Sequence, residues 1–115
     1  ALAQAGELDS ALRAYRRALT LAPASSAAAG VHLALAETLV QAQRPEQALE
    51  ALADARRLFP RHAKVLLTYG RTALLLERAG DALTAFRAFL ELVPSTHPDY
   101  AEVKARVDQL AGEVR

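Results

Sequence analysis

The 115-residue chain has no cysteine, methionine, tryptophan, asparagine or isoleucine. Without cysteine, disulfides and thiolate metal sites are excluded, and the redox compartment leaves no trace. Aromatic residues make up only 5% of the chain, too few to interleave with basic residues for base stacking. The five glycines stand singly, so no glycine-rich phosphate loop exists. No apolar run approaches the length of a membrane span, and the first residues lack a signal-peptide layout. The formal net charge of +1 gives no strong pull toward nucleic acid or a membrane surface. The shortage of thermolabile residues fits a heat-adapted source. It fits equally a GC-rich genome, whose codons favour alanine, leucine and arginine.

Hydrophobic residues make up 52% of the chain, chiefly alanine and leucine. Both are good helix formers, and β-branched residues are scarce, which argues for an all-α protein with closely approaching helices. The chain also repeats itself. Ala11 is followed by Tyr15, Ala18 and Pro23; Ala48 by Leu52, Ala55 and Pro60; Ala82 by Phe86, Phe89 and Pro94. Ala48 and Ala82 lie 34 residues apart, and Ala11 and Ala48 lie 37 apart. A period of this length marks a helical repeat, in which each unit buries its apolar face only by stacking on a neighbour.

The 3.6-residue pattern predicts six helices and a stub. Leu8, Ala11, Leu12, Tyr15, Ala18 and Leu19 form the first stripe, and Val31, Leu35, Ala36 and Leu39 the second. The third helix starts at Pro45, a favoured first helical position, and buries Ala48, Leu49, Leu52 and Ala55. The fourth carries Leu66, Tyr69, Gly70 and Ala73; the fifth follows Gly80 with Asp81 as its cap and shows Ala82, Phe86, Phe89 and Leu90. The sixth follows Pro98 and presents Tyr100, Val103, Val107 and Leu110. Short connections make sequential helices antiparallel.

These residues resemble the tetratricopeptide repeat pattern, W-x₂-L-G-x₂-Y…A-x₃-F…P. It maps onto His32, Leu35, Ala36, Leu39, Ala48, Leu52 and Pro60, and again onto Leu66, Tyr69, Gly70, Ala73, Ala82, Phe86 and Pro94. Gly6, Ala11, Tyr15, Ala18 and Pro23 match the second half of an earlier copy. His32 and Leu66 replace the tryptophan, Ala73 replaces the tyrosine, and residues 24–29 hold a three-residue insertion. The resemblance implies a right-handed superhelix of antiparallel hairpins in one domain. Its parts are a partial repeat over 1–23, repeats over 26–60 and 61–94, and a capping helix over 97–112. Residues 1–5 are expected to be the last turn of a preceding helix, with Leu2 toward the core, as in a segment cut from a longer array. Lys104 stands where a close helix crossing needs a small residue, so the last helix reads as a solvating cap.

Catalysis has little footing. His32, His62 and His97 are about thirty residues or more apart, no HExxH spacing occurs, and Ser25 and Ser26 lie in a turn with no nearby base. No metal site, no cofactor and no enzymatic activity are expected. Arg13, Arg16, Arg17, Arg56 and Arg57 are interrupted by Glu46, Glu50 and Asp54 and read as a solvated face rather than a nucleic-acid site.

The resemblance implies instead a concave groove lined by the first helices of successive repeats. Leu33, Glu37, Val40 and Gln41 would face inward from one repeat, and Lys64, Leu67, Thr68, Arg71, Leu74 and Leu75 from the next. Leu67, Leu74 and Leu75 lie off the stripe of Leu66, Tyr69 and Ala73, which makes that helix apolar nearly all round. Either they line the groove or a neighbouring helix covers them. Family members that grip a partner's carboxylate use lysine, asparagine and arginine. This chain offers Leu33, Ala34, Glu37 and Thr68 there, so a mixed-charge or amphipathic segment of another protein is the expected partner. Two other readings stand beside this one. In the first, residues 8–19 pair with a second copy of the chain. In the second, the chain is a regulatory segment of a larger enzyme or transcription factor.

Overall fold

Local chemistry places the helix boundaries. The computed structural model describes the backbone of residues 2–113 and the side chains of residues 6–113. Within these bounds six helices succeed one another: α1 (Leu2–Leu21), α2 (Ala28–Gln41), α3 (Pro45–Leu58), α4 (Ala63–Leu75), α5 (Ala79–Leu92) and α6 (Tyr100–Glu113). There is no strand among the described residues. Pro45 opens α3 from its first turn, where its missing N–H is no loss. His62 caps α4, its Nδ1 accepting the Val65 N–H at 3.3 Å. Pro23, Pro60 and Pro94 all fall in connections between helices.

The two turns from α2 to α3 and from α4 to α5 are copies of each other. Gln43 and Glu77, 34 residues apart, are the two non-glycine residues with positive φ among the described residues, at 64° and 58°. The Arg44 N–H donates to the Leu39 carbonyl at 2.8 Å and the Arg78 N–H to the Ala73 carbonyl at 2.9 Å. The Gln43 N–H reaches Val40 at 3.0 Å and the Glu77 N–H reaches Leu74 at 3.0 Å. This is the paired bonding of a helix ending on a left-handed residue, a place that favours glycine.

Each helix packs on its neighbours in sequence, and α2 also touches α4. The crossings are made by small residues: Ala36, Ala48, Ala55, Ala73, Ala82 and Ala85 are fully enclosed. Around them sit Leu39, Leu52, Leu66 and Phe89, nearly without exposure. Such burial contributes about 1.5–3 kcal/mol per large side chain. Gly70 is the tightest point. A β-carbon there would lie 2.7 Å from Phe86 Cδ1 and closer still to Cε1, so the ring of α5 occupies the space that a side chain on α4 would need.

Several expectations change. Residues 2–5 do not form a separate stub: α1 runs unbroken through Gly6 as a 20-residue helix. A single glycine costs only ~1 kcal/mol of helix propensity, too little to end it. The expectation that Leu2 faces the core concerns a side chain outside the described residues. In the first stripe only Leu12 is buried; Leu8, Ala11, Tyr15 and Leu19 are half-buried and Ala18 is exposed. The reason is that α1 packs on α2 alone. Asp81 is not the cap of α5, which begins two residues earlier with Arg78 at the cap position. Asp81 instead stands in the first turn, 4.0 Å from the Arg78 guanidinium, where a negative charge suits the helix dipole. Val103, Val107 and Leu110 of α6 are buried, whereas Lys104 points outward and pairs with Asp108 at 3.4 Å.

Two effects on stability are expected. Gly70→Ala should destabilise the fold by about 1–3 kcal/mol through overpacking, although alanine is the better helix former. Chemical denaturation of Gly70→Ala alone and with Phe86→Leu measures the coupling, and the loss should shrink in the double variant. Gln43→Gly and Glu77→Gly should each stabilise by up to about 1 kcal/mol by relieving the left-handed backbone. A lowered thermal midpoint in either would contradict that account.

Candidate partner-binding groove

Where α2 and α4 lie side by side, their inward residues enclose a hollow of about 250 Å³. Glu37, Val40 and Gln41 form one wall and Thr68, Arg71 and Leu75 the other. On each helix these positions are three or four residues apart, which puts them on one face. Ala36 and Thr72, both buried, make the floor. The hollow exists because the floor residues are short. It is smaller than the ~300–1,000 Å³ common for small-molecule pockets, and so is scaled to inserted side chains.

Six of the ten residues expected in the groove are therefore brought together. The other four are placed differently. Leu33 and Leu67, at 8% and 6% exposure, belong to the core cluster rather than to an open surface. They occupy equivalent positions on two helices that touch each other as well as their sequence neighbours, so the buried arc is wider than one stripe. Leu74 is half-buried in a narrow cleft with Phe86, Glu102 and Val103, covered by the last helix. Lys64 is exposed at the start of α4, away from the hollow. Leu75 stays open at 63% exposure.

The electrostatics were not apparent from sequence. The Arg71 guanidinium lies 3.7 Å from Asp99 and 3.6 Å from Glu102, bridging α4 to the start of α6. These side chains are 36–64% exposed, and pairs of that kind are worth ~0–1 kcal/mol. They fix where Arg71 points more than how stable the fold is. Glu37 makes no ion pair among the described residues. Asp99, in the turn before α6, and Glu102, in its first turn, were the available signal.

A second, larger hollow of about 510 Å³ lies between α1, α2 and α3. Its floor is His32, Leu35 and Leu39, and Arg16, Glu50 and Asp54 stand on its sides. One repeat later Tyr69 takes the place of Leu35, with the Arg56 guanidinium 5.1 Å from its ring centre. There Tyr69 stands between two smaller hollows, of about 380 and 370 Å³. His32 is buried, and its Nδ1 makes no hydrogen bond. Burial holds its pKa below the ordinary 6.5, against the Asp54 charge and a hydrogen bond with the Ala51 backbone, both of which raise it. His97 serves structure: its Nδ1 accepts the Asp99 N–H at 3.1 Å and its ring meets Phe89 edge-on at 5.3 Å. No three metal-ligating side chains converge among the described residues. No described helix is long and apolar enough to cross a membrane.

Because the folded state holds His32 neutral, its contribution is complete above pH 6.5 and declines as the pH falls toward the lowered folded value. The thermal midpoint should therefore fall as the pH is taken below 6.5. His32→Leu, which installs the residue found at position 66, should flatten that slope, and melting curves across the range measure it.

Comparison with known proteins agrees with this architecture. Two tetratricopeptide repeat family models match, over residues 33–96 and 2–57. No curated protein sequence matches the chain. Among solved structures, it is similar to PcrH in complex with the chaperone binding region of PopD, with a TM-score of 0.76 and 18% identity over 97% of this chain and 84% of that one. It is similar also to PcrH from Pseudomonas aeruginosa (0.73, 19%, 94% and 82%) and to a MamA D159K mutant (0.67, 22%, 97% and 61%). At these identities the likeness concerns the fold. With the model over 33–96 spanning more than half of the chain and the hairpins stacked at the matched positions, this chain belongs to the tetratricopeptide repeat family.

Proposed function

We propose that the protein is a non-catalytic protein–protein interaction module, holding a peptide or a helix of its partner in the groove between α2 and α4. The observation that carries this is the hollow itself: a floor of short side chains, flanked by Val40 and by a leucine left 63% exposed on an otherwise well-buried helix. An exposed apolar wall beside a side-chain-sized recess is what an inserted apolar anchor needs. PcrH, which shares the fold, has been crystallised with the chaperone binding region of PopD, so this architecture can hold a protein segment. The absence of any located nucleophile–base pair gives catalysis no support. Pairing of two copies through residues 8–19 has weaker support, because Leu8, Tyr15 and Leu19 of that stripe are already partly covered by the fold. Leu21, the most exposed leucine among the described side chains of α1, lies outside it.

Leu75→Asp and Val40→Asp place a charge on each wall of the hollow. Each should weaken capture of the native partner at least about tenfold, as expected for an anchor position, while Leu75→Asp leaves the thermal midpoint nearly unchanged. Pull-down from the source organism with quantitative mass spectrometry reads the loss. Equal recovery by all three proteins would refute the groove.

A further inference from the structure

If the groove holds a partner's segment, the reading on which this inference rests, the charges around the hollow decide which kind. Glu37 lines the hollow, is exposed and has no cationic partner among the described residues. Arg71, the cation on the opposite wall, is engaged by two carboxylates, Asp99 and Glu102. Arg106 lines the cleft beside Arg71 and Glu102 and donates to Gln109 at 3.3 Å, so the cluster sets two cations against two carboxylates and offers an acidic segment no free guanidinium next to the hollow. Lys64 stands one helical turn before Thr68 on α4 and does not line the hollow. An acidic segment would meet Glu37 and would have to displace Asp99 and Glu102 to reach Arg71. A basic segment meets Glu37 free, while Arg71 on the far wall is already engaged.

We propose that the occupant is a cationic amphipathic segment, with an apolar side chain seated between Val40 and Leu75 and a lysine or arginine set against Glu37. The apolar anchor supplies most of the affinity. The charges choose among anchors, since exposed pairs are individually weak and screened by salt. The preference is local. The whole chain carries a formal charge of +1, so its overall field works slightly against a basic ligand.

The test uses three labelled synthetic amphipathic helices sharing one leucine stripe and carrying lysine, glutamine or glutamate at every polar position. Their affinities are measured by fluorescence anisotropy at low and high salt. The lysine peptide should bind tightest, by about tenfold over the glutamate peptide at low salt, with the margin shrinking as salt rises. Glu37→Gln should narrow that margin and Glu37→Lys should reverse it. Leu75→Asp should abolish binding of all three. Binding that needs Leu75 but shows no lysine preference, or a preference untouched at Glu37, overturns the charge assignment and leaves the groove standing. No binding by any peptide, or binding that survives Leu75→Asp, overturns the groove and this inference with it.

Discussion

The distance at which helices cross is the constraint on which everything else in this molecule depends. At Gly70 the Phe86 ring sits in the volume that a β-carbon would occupy, and Ala36, Ala48, Ala73 and Ala82 make the neighbouring crossings equally short of side chain. Close crossing lets short connections join consecutive helices, and it lets alanine, with little surface of its own, form a core without tryptophan or methionine. The same economy shapes the surface. Ala36 belongs to a tight crossing and is also the floor of the α2–α4 hollow. The recess proposed to receive a partner is thus a by-product of how the hairpins pack.

The two faces of the stack differ because equivalent positions were filled differently. Leu35 and Tyr69 occupy the same place in successive repeats, and the tyrosine ring lies under the Arg56 guanidinium. His32 and Leu66 are likewise equivalent, and only the histidine brings a buried nitrogen with no hydrogen bond. Both differences fall in the first complete repeat, around the hollow bounded by α1. The family frame tolerates them because neither side chain sits at a crossing point.

Much of the fold was legible in the sequence. The prolines at 23, 60 and 94, the alanines at 48 and 82 and the glycine at 70 each have one mechanical job, and spacing reveals it. What spacing could not show was anything set by a third helix. The burial of Leu33 and Leu67 requires knowing that α2 and α4 touch, and periodicity within one helix is blind to a parallel neighbour. Asp81 resembled a cap because its chemistry suits that position, yet the turn closed by Glu77 lets α5 start earlier. Of the groove, the six residues around the hollow were among those that the family resemblance implied. The engagement of Arg71 by Asp99 and Glu102 was not implied, since it joins groups 28 and 31 residues away in the chain.

That bridge has a mechanical consequence. The spacing of α2 and α4 is held by direct contact between the two helices, whereas among the described residues no comparable backbone proximity joins α4 to α6. There the span is crossed by a half-exposed guanidinium and two carboxylates. Contact of the first kind ignores ionic strength, and the second weakens with it. The α2–α4 spacing is accordingly indifferent to electrolyte, whereas the Arg71 link between α4 and the start of α6 loosens as electrolyte rises.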